Sequence, residues 1–426
     1  MKISLALLVA CVAFVFSATF TVAQENSPPN QFAKLADLLA EAERHNPQIQ
    51  AARSAWRAAA KVPSQVSTLP DPVVSVQQFS VGSPRFFAGY TNSDFAYFGL
   101  GFSQDFPYPG KLRLRGQAAQ SGANALEEKW RYERRRISAE IKVIYFQLAY
   151  EQQALAILKR DGSLLAQMET IAEARYRTGQ VSEQDVLQAQ LEQTDLVRER
   201  AVEEEKLAQQ EANLKALLNR PPDSPDIVAG KLTQTPFSLT FAELAAQIRS
   251  GDPAVLAEQA ETKKQAAEVQ LAHKDFYPDF NVQWMWQRTD PTQYRAYYML
   301  TFSATIPIYR RRRQDPELAE AKELRAQSQH AYDAQVQQAY AELRTEYVRA
   351  TTAERLLAIY KQGLIPQSAA TFQAGLAAYQ SGREDFQTLL SAFVDELRLE
   401  SEYWRSLADH EIALVGIEEL TGVALH

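Results

Sequence analysis

Two long helical patterns joined by a short polar stretch occur twice along the chain. In the first copy the pattern runs to Tyr176 and a glycine follows at Gly179; in the second it runs to Tyr379 and Gly382 follows. A glycine just past a helix can adopt the left-handed conformation that caps the helix end. The pattern therefore predicts two helical hairpins, with tips at residues 176–182 and 379–384.

The four helices of these hairpins are predicted to be long. They cover residues 112–178 and 182–219 in the first copy, and residues 315–381 and 384–422 in the second. The 67 residues of the first would form a helix about 100 Å long. A break is expected at Asp161-Gly162 and a kink at residues 363–366. Apolar residues recur at three- and four-residue spacing, which indicates coiled-coil-like packing.

A shorter helical pattern comes before the hairpins, over residues 32–61. Asn46-Pro47 interrupts it, and a proline there suits the first turn of a new helix. Pro63 and then Pro70 are predicted to end the helical stretch, because proline lacks the backbone N–H that a helix interior needs.

Between the helical stretches the periodicity changes to two. Alternation predicts strands at about residues 73–79, 95–106, 280–287 and 297–306. Each strand has aromatic and aliphatic side chains on one face and small or polar side chains on the other. The main apolar positions are Phe98, Leu100, Phe102, Val282, Trp284, Trp286, Tyr298, Leu300 and Phe302.

The helical and strand landmarks repeat at nearly constant spacing. Asn46-Pro47 matches Asp252-Pro253 at an offset of 206 residues, and Phe106-Pro107 matches Ile306-Pro307 at an offset of 200. The two tip glycines lie 203 residues apart. Units of this length are too long for a solenoid repeat. The chain is therefore interpreted as a duplicated half-protein, with repeats at residues 24–225 and 226–426.

Four two-faced strands need more partners than one chain supplies. Their alternation suits strands with lipid on one side and water on the other. Four strands cannot close a barrel, and lipid does not tolerate an open edge. Three copies would supply about twelve strands, an even number within the known range. We predict a mainly α protein whose strands form a trimeric twelve-stranded membrane β-barrel. Its helices would continue as a long bundle on the periplasmic side, and the apolar positions above would face lipid.

The start of the chain has the pattern of a secretory signal peptide. Met1-Lys2 is followed by an apolar run to Phe20 and a small-x-small site that ends at Ala23. We expect removal of residues 1–23. Cys11, the only cysteine, can also be read as a lipid-attachment site, although the apolar run continues well past it.

Recognisable catalytic chemistry is absent from the sequence. It contains no zinc-protease, P-loop or nucleophile-elbow motif, and no two of its five histidines have helical metal-ligand spacing. The net charge is −7, without the basic face that nucleic acid binding requires. We predict no enzymatic activity, no cofactor, no metal site and no nucleic-acid partner.

Basic residues follow each strand pair directly. They are Lys111, Arg113 and Arg115 in the first copy and residues 310–313 in the second. The chain must leave the membrane at these points, and cationic side chains can pair with lipid phosphates. We expect both clusters to lie at the periplasmic headgroups.

Several motifs in a fixed order carry a family resemblance. They are the duplicated layout, the Asn-Pro of the first helix, the run from Phe106 to Lys111 (Phe-Pro-Tyr-Pro-Gly-Lys) and the two Tyr-x-x-Gly tips. Over essentially the whole mature length, the chain resembles the outer-membrane efflux proteins of the TolC type. That run and Leu69-Pro70-Asp71-Pro72 look most like the branch that serves heavy-metal resistance–nodulation–division pumps.

The resemblance implies a homotrimer with a β-barrel in the outer membrane and a long periplasmic extension in the form of a hollow α-barrel. It would be the passive exit duct of a tripartite efflux system for metal ions or small toxic compounds. Its partners would be a periplasmic adaptor, an inner-membrane pump of the resistance–nodulation–division type and outer-membrane lipid. The adaptor would dock at the tips, at Tyr176, Gly179, Tyr379 and Gly382. The energy would come from the pump.

The resemblance also implies a gate near the tips. In the family, the tyrosine three residues before the second tip glycine bonds an acid six residues after the first, and these are Tyr379 and Asp185 here. The family's arginine two residues after the second glycine is replaced by Glu384, with Arg383 one place earlier. An acidic ring at the pore would have to come from Glu384 or Asp385.

Two other functions remain open from the sequence. One is a type I protein secretion duct. The other is a periplasmic structural coiled-coil protein with a small soluble sheet, which would be soluble without detergent, whereas a duct would fractionate with the outer membrane. An enzyme on a helical scaffold would need a convergent polar cluster, which the sequence does not reveal.

Overall fold

The computed structural model describes residues 32–79, 97–288 and 296–426. The predicted signal peptide and residues 95–96 of the second predicted strand lie outside the described residues. The helices are α1 (Leu35–His45), α2 (Pro47–Ala59), α3 (Val62–Ser67), α4 (Lys111–Arg177), α5 (Glu183–Leu217), α6 (Phe241–Gly251), α7 (Pro253–Lys274), α8 (Gln314–Ile359), α9 (Ile365–Gln380) and α10 (Phe386–Thr421). The strands are β1 (Val73–Phe79), β2 (Tyr97–Phe106), β3 (Asp279–Arg288) and β4 (Tyr297–Thr305).

The second helix of each half, α2 and α7, begins in the same way. The Asn46 side chain accepts two backbone N–H groups of α2 at 2.9 and 3.2 Å, and Asp252 accepts one of α7 at 2.8 Å. Pro47 and Pro253 follow in the first helical position, where a missing N–H removes no helical bond. The predicted interruption at Asn46-Pro47 is thus a capped helix start.

Two predicted helix breaks are wrong. Pro63 lies in the first turn of α3 and begins a helix instead of ending one. Helix α4 continues without interruption through Asp161-Gly162. Arg160 binds the Asp161 carboxylate at 2.7 Å and also Glu400 of α10 at 2.6 Å. A helix glycine costs only about 1 kcal/mol, which packing along so long a helix outweighs.

The irregularity predicted at residues 363–366 is present as a π-helical turn at Tyr360–Leu364, between α8 and α9. Pro366 lies in the first turn of α9 and has no N–H to donate to the preceding turn. A π-helical turn shifts the bonding pattern by one residue and accommodates this gap.

The four strands form one antiparallel sheet in the order β1-β2-β3-β4. Neighbouring strands pair in sequence order, with Val76 opposite Leu100, Phe102 opposite Trp284 and Trp284 opposite Leu300. The predicted strand positions and the mainly α fold class with a small sheet are confirmed. Both β1 and β4 are edge strands of the sheet.

The apolar face of the sheet is open in the single chain. Exposed fractions are 43% for Phe102, 41% for Trp284, 56% for Leu300 and 74% for Phe302. On the opposite face Met285 is only 3% exposed. An apolar patch this continuous normally marks an interaction or membrane surface, as the lipid-facing prediction requires.

The junction between β2 and α4 corrects the prediction for Lys111. Its side chain is only 4% exposed, and its ammonium lies 3.0 Å from Asp275 and 2.9 Å from Asp279. It therefore ties two parts of the chain together and is not free to meet lipid phosphates. Arg113 and Arg115 are exposed.

A pair of acidic side chains meets between α4 and α5. Burial and, next, the nearby Glu203 carboxylate raise the pKa of the Glu151 carboxyl to about 8. Burial opposes ionisation of Glu203, but contacts with Glu151 and Lys206 lower the pKa of Glu203 overall. Glu151 is therefore protonated near neutral pH, while Glu203 is charged and pairs with Lys206 at 2.7 Å.

Replacing Glu151 by Gln is expected to stabilise the protein at alkaline pH. The folded pKa of Glu151 lies above its ordinary value of about 4.3, so folding binds a proton. The stability from this group is present at low pH and is lost as the pH rises from about 4 to about 8. The Gln variant avoids that loss, worth about 1–3 kcal/mol at about pH 9.

Thermal unfolding followed by far-UV circular dichroism at about pH 4 and about pH 9 measures this effect. Glu199→Gln is the control, since Glu199 lies on α5 with 42% of its side chain exposed. An equal pH dependence in Glu151→Gln and in the unaltered protein would contradict the assignment.

None of the helices in the described ranges combines the length and apolarity needed to cross a membrane.

Candidate functional site

The two hairpin tips share one backbone conformation. Gly179 and Gly382 both have φ of +72°, in the left-handed region that favours glycine. The N–H of the residue after each glycine bonds to a carbonyl five residues back at 2.9 and 3.0 Å, the pattern of a Schellman cap. A side chain at either position would strain the turn, which explains why the repeat keeps glycine at both tips.

The structure brings Tyr379 and Asp185 together across the two hairpins. The Tyr379 hydroxyl donates to Asp185 Oδ2 at 3.2 Å. Tyr379 is only 1% exposed, and its ring packs edge-on against Phe386 at 5.4 Å between centroids. Asp185 lies in the first turn of α5, where the positive end of the helix dipole stabilises a carboxylate. This bond links the second hairpin to the first.

Arg175 adds a second link, which the sequence analysis missed. Its guanidinium carbon lies 4.7 Å from the centre of the Tyr379 ring, and its Nη1 donates to the Tyr379 backbone carbonyl. A cation over an aromatic face is worth about 0.5–2 kcal/mol. Arg175 lies four residues before Gly179, and Ala378 is its counterpart in the second repeat. That difference between the two tips was the available signal.

These contacts keep the Tyr379 hydroxyl protonated. Burial and, next, the Asp185 carboxylate raise the pKa of Tyr379 to about 12, although Arg175 opposes the rise. Tyr379 therefore remains a hydrogen-bond donor at every physiological pH.

The other predicted gate residues lie apart from this link. Arg383 is exposed, and its Nε donates to Ser381 of the same turn at 3.0 Å. Asp385 caps α10, with its carboxylate accepting the Thr388 N–H at 2.8 Å. That bond lowers the pKa of Asp385. Glu384 is exposed at the tip.

The two tip tyrosines have different surroundings. Tyr176 is 45% exposed, in contrast to the buried Tyr379. Of the two tip tyrosines, only that of the first tip is open to solvent, while that of the second tip holds the two hairpins together.

No cluster of three or more side chains suited to a metal ion occurs within residues 32–79, 97–288 and 296–426.

A family model covers part of the chain. Residues 244–423 match the model described as outer membrane efflux protein. Among curated proteins, none matches the chain significantly.

Solved structures match nearly the whole chain. The outer-membrane channel OprN is 18% identical, with 92% of this chain and 90% of that chain covered and a TM-score of 0.79. The transmembrane channel protein CusC is 17% identical, with coverages of 93% and 96% and a TM-score of 0.79. The outer membrane protein VceC from Vibrio cholerae is 18% identical, with coverages of 92% and 97% and a TM-score of 0.78. The fold is thus that of outer-membrane channels.

The fold and the family match agree with the resemblance seen in the sequence. The family match covers residues 244–423, and the structural matches show that nearly the whole chain shares the channel fold. The predicted outer-membrane location, with helices extending into the periplasm, agrees with these matches.

Proposed function

We propose that the protein is the passive exit duct of a tripartite efflux system in the outer membrane. One observation carries the proposal: a four-stranded sheet with an open apolar face leads directly into long helical hairpins, and the helices of the first hairpin have 67 and 35 residues. The strands suit the membrane and the hairpins suit a periplasmic conduit. The chain forms part of the wall of the duct and catalyses no reaction.

The duct is a homotrimer, because the sheet cannot close alone. Both edge strands have backbone N–H and C=O groups with which lipid cannot form hydrogen bonds. Three copies place β4 of each chain beside β1 of the next and remove every edge. The same arrangement surrounds the pore with the hairpins of three chains, which form the α-barrel.

The hairpin tips are the docking end of the duct. The periplasmic adaptor meets them, and an inner-membrane pump of the resistance–nodulation–division type supplies the energy. The contacts of Arg175 and Asp185 with Tyr379 hold the two hairpins together within each chain. We assign them to the closed state of the gate, which docking of the adaptor and pump releases.

Metal ions or small toxic compounds are the proposed cargo. The Leu69-Pro70-Asp71-Pro72 segment and the run from Phe106 to Lys111 favour the heavy-metal branch. The structural matches do not discriminate, since OprN and CusC have the same TM-score of 0.79. A type I secretion duct is the alternative within the same fold.

Deleting the gene and measuring growth across a panel of copper, silver, zinc, cobalt and cadmium salts, dyes and antibiotics tests the cargo. Sensitivity to metal salts, with accumulation of the metal in the cells, is the expected result. Sensitivity to dyes and antibiotics alone would move the protein to a drug-exporting branch. Loss of a secreted protein from the medium, with no change in either sensitivity, would favour type I secretion.

A further inference from the structure

The edge strands β1 and β4 are the surfaces that a second copy of the chain would cover. We propose that the seam between β4 of one protomer and β1 of the next repeats, residue for residue, the pairing of β2 with β3 inside one chain. The inference rests on the proposed trimer and goes further, because it assigns the register of the seam and the side chains that clasp its periplasmic end.

The internal duplication gives every strand residue a counterpart. Val73 lies opposite Ser103 in the first strand pair, and Asn281 lies opposite Ser303 in the second. Val73 and Asn281 are separated by 208 residues, the same offset as Asp71 and Asp279, and the two serines by 200. Both strand pairs therefore have the same register, and counterparts can be assigned without ambiguity.

The β2–β3 junction shows what these counterparts should build. At its periplasmic end Asp279 accepts the backbone N–H of Tyr108 at 2.7 Å and the Lys111 ammonium at 2.9 Å. The Tyr108 ring stacks on Tyr277 at 4.5 Å between centroids. One acid, one base and one apolar pair thus clasp the segment after β2 to the segment before β3.

The β4 end of one copy and the β1 start of the next carry matching chemistry. At the same offsets, Asp71 corresponds to Asp279 and Arg311 to Lys111, so both charges are kept. Ile308 corresponds to Tyr108 and Leu69 to Tyr277, so the aromatic stack becomes an aliphatic pair.

In a single chain these four side chains are exposed. Ile308 is 71% and Leu69 is 44% exposed. Asp71 and Arg311 are exposed, and neither has an ion-pair partner within the described ranges. The Ile308 N–H reaches only the Ile306 carbonyl two residues back, at 2.9 Å. An acid, a base and two large apolar groups at matching positions indicate an interface with the same chain.

The register of the seam follows from the same correspondence. Asp105 lies opposite Asn281 in the chain, which places Thr305 opposite Val73 of the neighbouring protomer. Two residues further along, Ser303 lies opposite Ser75 of the neighbour. Ser75 belongs to the polar face of the sheet, since its Oγ would lie 2.5 Å from a Cβ at Gly101.

The clasp at the seam has one carboxylate fewer than the clasp inside the chain. Lys111 binds both Asp275 and Asp279, whereas the counterpart of Asp275 is Ser67. The Asp71–Arg311 pair is therefore a single ion pair. Each seam should separate before the internal junction does when the trimer is heated.

Disulfide trapping in outer membranes tests the register. Directly opposed residues have Cβ atoms about 4.5–5.5 Å apart, close enough for a disulfide after a small adjustment. Ser75→Cys combined with Ser303→Cys is expected to give covalent dimers and trimers on non-reducing gels after mild oxidation. Ser75→Cys with Thr301→Cys is the matched control, because two residues shift the partner by about 6.8 Å on the same face. Non-reducing gels of each single-cysteine variant show whether Cys11 forms any of the disulfides.

The clasp is tested by reversing its charges. Asp71→Arg or Arg311→Asp alone should lower the temperature at which the trimer dissociates, and the double reversal should restore it. A reversal of the control residue Arg312 should leave that temperature unchanged. Failure of the double variant to recover, with each single variant destabilised, would overturn the ion pair.

The outcomes separate this inference from the proposed function. Faster trapping through Thr301 than through Ser303, in a preparation that is still trimeric, overturns the register and leaves the duct intact. A protein that forms no trimer in the membrane overturns the proposed function itself. Preferential trapping through Ser303, together with rescue by charge reversal, supports both the register and the clasp.

Discussion

Replacing Tyr379 by Phe together with Asp185 by Ala is expected to raise the conductance of the channel strongly. The 3.2 Å bond between them has one charged partner and contributes about 1–3 kcal/mol. Three copies act on a single opening equilibrium, so the double variant removes roughly 3–9 kcal/mol of support for the closed state. Each 1.4 kcal/mol is about a tenfold change in the open population. Single-channel recording in planar bilayers measures the result.

Arg175→Ala should act in the same direction. Its guanidinium contacts the ring and the backbone carbonyl of Tyr379, so both contacts survive Tyr379→Phe and are lost only when Arg175 is replaced. Adding Arg175→Ala to the double variant should therefore increase conductance again.

Tyr176→Phe is the matched control for the gate. Tyr176 occupies the equivalent position of the first tip but is 45% exposed, so its hydroxyl should have no effect on the resting conductance. An unchanged conductance in the Tyr379→Phe and Asp185→Ala double variant, with the trimer still formed, would remove these residues from the gate. It would leave the duct itself in place.

An Arg at Leu300 is expected to prevent or strongly weaken insertion of the barrel. Leu300 is 56% exposed on the apolar face of β4, and a cation near the middle of the bilayer costs about 2–4 kcal/mol per chain. In a trimer this is roughly 6–12 kcal/mol, comparable to the whole stability of an ordinary domain. The yield of heat-resistant trimer in outer membranes measures it.

Met299→Arg is the control, because Met299 is the adjacent residue and belongs to the opposite face of β4. Charges on the lumen face of a barrel are tolerated and change mainly its selectivity. Equal yields for both variants would contradict the assignment of faces. Spin labels at Leu100 and Leu300 that report water instead of lipid would contradict it independently.

Local rules predicted most of the fold. The tip glycines were predictable because a helix cap requires a left-handed backbone conformation at one residue. The strands were predictable because apolar and polar residues alternate over a few positions. The helix start at Pro47 was predicted for the same reason, since the preference of proline for the first turn depends only on its immediate neighbours. The duplication then supplied long-range information, because it related residues about 200 positions apart.

The errors came from contacts that local pattern does not encode. Asp161-Gly162 looked like a break because the ion pair with Arg160 and Glu400 is formed only after α4 packs against α10. Lys111 looked like a free surface cation because Asp275 and Asp279 approach it from the other repeat.

Within the candidate gate, the resemblance identified Tyr379 and Asp185 and missed Arg175. The family's arginine was sought after the second tip, at Arg383 and Glu384. In this chain the cation near Tyr379 is Arg175, which contacts the Tyr379 ring from the first hairpin. The difference between Arg175 and Ala378 signalled only that the two tips are unlike. The contact itself depends on how the two hairpins lie side by side.

The protein mass of the complex extracted from outer membranes tests the trimeric duct most directly. Light scattering of the detergent-solubilised protein, corrected for bound detergent, should give about three times the mass of one mature chain, with the protein found in the outer-membrane fraction. A monomer recovered from the soluble periplasmic fraction without detergent would contradict the account.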